Sequence, residues 1–190
     1  MRWTNRFSST VPGPWPRTGE RICQLSAASA APGKATFHVA SGAEALSSLS
    51  RELVVSRQQA QIEAIDVEVI TVDAAYGVQP VRFMKLDVEG AEFDAMRGAA
   101  GLMRQRRPVL VFEDGRAGSA RHFNYSLAEF YGFFDRLDYV VLDFFAQPVH
   151  EGHQVHPGPW NFFAVPREAR EMVAELICYA TFSVLLAQLQ

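Results

Sequence analysis

Cysteine is scarce in this chain: Cys23 and Cys178 are the only two in 190 residues, and they lie too far apart to form a pair motif. That scarcity argues against a disulfide framework and sets the expectation of a cytoplasmic, thiol-reduced setting. A basic excess is also lacking. The formal net charge is -3, so there is no electrostatic footprint for nucleic acid and no attraction to an acidic membrane. No apolar run is long enough to span a bilayer: "LICYATFSVLLA" is too short, and Glu175 interrupts its N-terminal extension. The opening "MRWTNRFSSTVPGPWPRTGER" has positive charge but no apolar core, which excludes a secretory signal. No internal repeat is visible, and a single domain is expected. What is present is 48% hydrophobic, 21% charged and 12% aromatic, enough for one soluble domain with a sizeable core.

Along the chain, residues 1–21 stand apart. "VPGPWP" resists helix and sheet because each Pro fixes φ and lacks an N–H, so this stretch reads as a disordered or extended leader, or as a proline-rich ligand. "RICQLSA" and "ATFHVA" then read as short strands around the turn "APGK", and "ASGAEALSSLSREL" reads mostly as loop. "DVEVITVD" (66–73) alternates like a half-buried strand, whereas "VRFMKLDV" (81–88) is more continuously apolar, as in a strand covered on both faces. A helix is predicted over about Ala91–Arg106, with Phe93, Met96, Ala100 and Met103 on one face. "PVLVFED" (108–114) is a strand. "SLAEFYGFFDRL" is a helix opened by a capping box of Ser126 and Glu129. "DYVVLDFF" (138–145) and "WNFFAVP" (160–166) are strands joined by a polar loop. A last helix from about Arg167 carries Val173, Leu176, Ile177, Ala180 and Val184 at helical spacing, an amphipathic pattern suited to a core or a partner. The alternation predicts an α/β sheet with parallel right-handed crossovers, its last two strands forming an antiparallel hairpin at one edge.

In such a sheet ligands sit beyond the carboxyl ends of the strands, the place occupied by "LDVEGAE". Along an extended chain Lys85, Asp87 and Glu89 fall on one side, Gly90 permits a close turn, and Glu92 enters the first helical turn. Carboxylates there can accept hydrogen bonds from hydroxyls or amines, hold a cation, or take a proton. A purely structural reading stands beside this one: Glu92 suits a helix N-terminus through the dipole alone, and Lys85 simply pairs with Asp87.

The stretch "VRFMKLDVEGAEFDAMRGAAGLMRQRRPVLVFE" resembles the FkbM family of S-adenosylmethionine-dependent methyltransferases. The family pattern falls on Lys85, Asp87, Glu89, Gly90, Glu92, Gly98, Pro108 and Glu113. Further similarity lies in Ser47, Ser48 and Leu49, in "VEVITVDAA" with Asp73, and in "WNFFAVP" with Asn161, so that about residues 22–166 are covered.

The resemblance implies a Rossmann-like class I methyltransferase sheet, S-adenosylmethionine as cofactor, and methylation of a hydroxyl on a small molecule or sugar. Asp87 and Glu89 would be catalytic, Asp87 and Gly90 would contact the cofactor, and Glu113 and Glu92 would contact the acceptor. One family feature is missing, the acidic-glycine loop that closes the first strand. The lone Gly42 of "TFHVASGAEALSSL" is a weak substitute, because no acidic residue precedes its turn. The expectation is therefore a domain lacking its first two core strands: a leader over 1–21, a partial domain over 22–166 and a C-terminal helix over 167–190. The sheet edge so exposed would favour a homo-oligomer. The alternative is a truncated, non-catalytic remnant that acts through self-association. A rival constellation, His150, Glu151, His153 and His156, falls in a segment that Gly152 and the following Pro-Gly mark as loop, and no metal is expected there.

Overall fold

The computed structural model describes residues 26–41, 47–57, 61–113, 116–152 and 161–187. The leader, Cys23, Gly42, His153 and His156 lie outside these residues. The fold is mixed α/β, but its strands form two sheets instead of the single one expected. The smaller sheet has β1 (Ala27–Ala28), β2 (Gly33–Ala40) and β3 (Ile62–Ile70) in the order β1-β3-β2. The larger has β4 (Phe83–Leu86), β5 (Val109–Glu113), β6 (Tyr139–Leu142), β7 (Pro148–Val149) and β8 (Asn161–Pro166) in the order β4-β5-β8-β6-β7. Strands β4 and β5 are parallel, and β8 runs antiparallel to both β5 and β6. The expected antiparallel pair thus exists, but it is interior: β8 is inserted between β5 and β6, and the short β7 takes the edge.

Period-two alternation divides the larger sheet cleanly between two apolar layers. Leu110, Phe112, Tyr139, Val141, Phe162 and Ala164 face the main core. There they meet Phe93 and Met96 of α3 (Glu92–Arg97), Met103 of α4 (Ala100–Arg106) and Phe130, Phe133 and Phe134 of α6 (Leu127–Arg136). Leu142 and Val165 face the other way, onto Val173 and Ile177 of α7 (Arg170–Ala187), with Val109, Val140 and Phe163 beside them. Strand β4 is covered on one face only: Leu86 is buried, whereas Phe83 is 59% exposed. The continuous apolar run at 81–88 therefore does not mark a doubly covered strand, because α7 does not extend over this terminal strand. The capping box of α6 is formed as read, with Glu129 N–H donating to Ser126 Oγ and Glu129 Oε2 accepting from Ser126 N–H.

Three local departures have identifiable causes. Within the stretch read as loop, Ser50 Oγ accepts from Leu53 N–H at 3.4 Å and opens α1 (Arg51–Arg57). Thr71 Oγ1 accepts from Ala74 N–H, so the chain after β3 turns into α2 (Val72–Tyr76) where a strand was expected to continue to residue 73. The helix expected over 91–106 is broken into α3 and α4 around Gly98. Asp73 of α2 caps the second piece from outside, accepting from Gly101 N–H at 2.8 Å and Leu102 N–H at 2.6 Å, while its own N–H donates to Gly98 O at 2.8 Å.

Gly98 also lets the smaller sheet dock. A Cβ at this position would stand 2.1 Å from the carbonyl oxygen of Ser29, just after β1. The backbone of Gly98 has an ordinary helical conformation, with φ of -72°, so substitution there reports the contact and not torsional strain. Gly98→Ala is expected to lower the unfolding free energy by about 1–3 kcal/mol, the range for overpacking a close contact, as read by urea denaturation. An unchanged midpoint would show that the two sheets do not lean on each other here.

Candidate active site

Beyond Leu86 the chain leaves β4 and makes a tight turn through Asp87, Val88, Glu89 and Gly90 before entering α3. Glu89 has φ of 52° and Gly90 φ of 105°, two successive residues in the left-handed half of backbone space. For glutamate that conformation costs about 1 kcal/mol or more. Gly90 has no alternative. Besides the torsion, an added Cβ would lie 2.7 Å from Leu53 Cδ1 of α1 and 3.0 Å from Phe123 Cε2.

Two side chains hold this turn. Glu92 is only 4% exposed, and its Oε1 accepts from Val88 N–H at 2.9 Å and Gly90 N–H at 3.3 Å. Burial pushes its carboxyl above the ordinary value, against the opposing pull of the N–H groups, and the nearby Glu113 adds to the rise. From the opposite side the hydroxyl of Ser48, itself buried, donates to Glu89 O at 2.8 Å and accepts from Ser50 N–H at 3.1 Å. Ser48 is fixed by mutual backbone bonds with His38 of β2, and its neighbour Ser47 accepts from Ala40 N–H. The smaller sheet thus reaches across and grips the turn.

The turn brings carboxylates together. Oxygens of Asp87, Glu89 and Glu113, the last residue of β5, lie within 4.8 Å of one another. Lys85 donates to Asp87 Oδ2 at 2.5 Å and is held above its ordinary pKa by that bond, although it is exposed and the pair contributes little to stability. Like charges at this spacing repel by about 1 kcal/mol in water-like surroundings and about 4 kcal/mol near a protein surface. The cluster therefore favours hydroxyl or amine donors, or positive charge. Its donor atoms are all oxygen, the set that suits a hard divalent cation better than zinc.

A cavity of about 470 Å³ opens beside the cluster. Asp87, Val88, Glu89 and Ala91 line one side, and Ser26, Ala27, Ala28, Phe37, Ser47 and Leu49 line the other. Of the residues singled out in the sequence, Asp87 and Glu89 face this cavity, and Glu113 meets them at its margin. Glu92 lies inside the turn with both its hydrogen bonds directed to backbone, and Gly90 is buried behind it under α1. His150 is remote from this group, its Nδ1 lying 2.9 Å from Glu151 O. Sequence reasoning gave no role to Ser48, Phe37 or Leu49. The signal for Ser48 and Leu49 was the Ser-Ser-Leu run, which carries no periodicity, and Phe37 is one residue of the strand "ATFHVA".

A family model described as the methyltransferase FkbM domain matches residues 16–141, more than half of the chain. The chain belongs to the FkbM methyltransferase family. No curated protein and no solved structure matches it. The match takes in the smaller sheet, the turn and the carboxylate cluster, and ends in β6, ahead of β7, β8 and α7. Within this FkbM domain the glycines at 90 and 98 have separate physical grounds, one torsional and one of close backbone approach.

Glu92 offers a test of how the turn is held. An acid whose pKa is raised by folding costs stability when ionised. That cost is absent below its ordinary value of 4.5 and grows as pH rises through and beyond it. Glu92→Gln keeps the acceptor but removes the charge, so its stability relative to wild type is expected to increase from pH 4 toward neutrality. Glu92→Ala leaves the N–H groups of Val88 and Gly90 without this acceptor and is expected to lose about 2–4 kcal/mol near pH 4, and less toward neutrality, where removal of the buried charge offsets part of the loss. Denaturant titrations across pH read both, and a pH-independent difference for the glutamine variant would contradict the burial of this charge.

Proposed function

We propose that this FkbM-family chain is an S-adenosylmethionine-dependent methyltransferase acting on a hydroxyl of a small molecule or sugar. The observation that carries the reading is the convergence of Asp87, Glu89 and Glu113 within 4.8 Å beside a cavity of about 470 Å³. That volume lies within the range of sites for compact organic ligands.

The lining suits the ring and the cationic groups of the cofactor, although the acidic-glycine loop of the family is not part of it. Phe37, Leu49, Ala27 and Ala28 would receive an apolar ring system, while Asp87 and Glu89 would face the cationic sulfonium and amine. When bound, S-adenosylmethionine supplies an activated methyl group. The protein's own tasks are to align the acceptor and to remove its proton. Glu113 at the end of β5 is assigned to hold acceptor hydroxyls. Glu89 is assigned to take the proton from the reacting oxygen, and Asp87, paired with Lys85, to orient the cofactor. Glu92 acts on this constellation as a positioning residue, through the turn that it caps.

The test is transfer of labelled methyl from S-adenosylmethionine to a panel of polyhydroxylated acceptors. Labelled, alkali-stable methyl ether is the expected product, and Glu89→Gln is expected to lower kcat by about 10²–10⁴, the contribution of a positioned general base. Normal turnover by that variant would remove the role given to Glu89. No transfer to any acceptor would favour the non-catalytic reading.

A further inference from the structure

We propose that α7 is a dimerisation helix, its outer face covered by the same face of a second copy of this chain. Toward the protein the helix buries Val173 and Ile177, and Thr181 donates to Phe144 O at 3.2 Å. The opposite side is expected to be polar, as on an ordinary surface helix, but here four large apolar side chains share it with Glu175 and Ser183. Met172 is 60% exposed, Leu176 60%, Tyr179 75% and Phe182 65%. At 100° per residue these four occupy one stripe, centred opposite the buried face. Of the predicted apolar series, Leu176 lies in this stripe, whereas Val184 projects on the side of Val173 and Ile177 yet is 59% exposed.

The area decides what could cover this stripe. Four side chains of this size at these exposures leave roughly 500 Å² of surface in water, so two copies face to face would bury on the order of 1,000 Å², the threshold of a specific interface. The stripe spans the middle of Arg170–Ala187, so an antiparallel pair about a two-fold axis midway between Leu176 and Tyr179 matches Met172 with the Phe182 end of its mate. Charge argues against a lipid surface. No Lys or Arg occurs in 171–190, and both Glu171 and Glu175 carry the wrong sign for anionic headgroups. Nor is any helix among the described residues long and apolar enough to cross a membrane. A face rich in large apolar groups, with Glu175 as the single charge within the stripe, matches what subunits of a homodimer present to each other.

Sedimentation equilibrium of the full chain in reducing buffer, which keeps the exposed Cys178 from linking copies, reads the state directly. A species of twice the chain mass at micromolar concentration is expected. The double variant Leu176→Glu with Tyr179→Glu should retain its far-UV circular dichroism and weaken the dimer at least about 100-fold. Phe83→Glu, on the open face of β4, should leave the dimer intact. A concentration-dependent thermal midpoint in the unmodified protein gives the same answer without any variant. The proposal fails if the chain stays monomeric at 100 micromolar, or if Phe83→Glu and not the helix variant breaks the dimer. It also fails if the monomer pellets with phosphatidylcholine–phosphatidylserine vesicles.

Discussion

The turn from Asp87 to Gly90 must hold two successive left-handed residues inside the protein, and most of what surrounds it follows from that constraint. Its exposed backbone polar groups need partners, and each comes from a different part of the chain. Glu92 reaches back from the first turn of α3 for the N–H groups of Val88 and Gly90. Ser48 reaches across from the smaller sheet for the carbonyl of Glu89. The absence of a Cβ at 90 lets α1 close down through Leu53, and the absence of one at 98 lets β1 approach through Ser29. Without these contacts nothing would aim the three carboxylates at a common point.

The same arrangement explains how so much negative charge is tolerated at the edge of a core. Glu92, the buried carboxyl, accepts through Oε1 from two backbone donors. Asp87, Glu89 and Glu113 stay partly or wholly exposed, where solvent and Lys85 limit their repulsion. The residual field is what a positively charged or hydroxyl-rich ligand would meet. Structural and chemical duties are thus divided among residues that look alike in sequence.

Much of the larger sheet was legible from pattern alone. Its strands at 109–113, 139–142 and 161–166 are short, apolar and bounded by turn signals, and α6 announces itself through Ser126 and Glu129. The strand order was not, because insertion of β8 between β5 and β6 depends on contacts remote in sequence. The break at Gly98 was hidden for the same reason: it is set by Ser29 and Asp73, not by neighbours along the helix. At the site, residue types and their clustering could be read, but period-two reasoning put Lys85, Asp87 and Glu89 on one side of a strand that in fact ends at Leu86. Glu89 reaches the cluster through a left-handed turn, which glutamate does not advertise. In α7 the apolar series was correct as a helix and as one face, but of its members only Val173 and Ile177 are buried.

The claim at the centre is that the gripped turn makes a cofactor site, and calorimetric titration with S-adenosylmethionine tests it most directly when Ser48→Ala is run beside the unmodified chain. The substitution removes one hydroxyl and about 1 kcal/mol of stability, so the variant should fold. The account predicts micromolar binding by the unmodified chain and at least about tenfold weaker binding by the variant, which corresponds to about 1.4 kcal/mol of lost alignment. No binding by the unmodified chain, or equal binding by the two proteins, would contradict it.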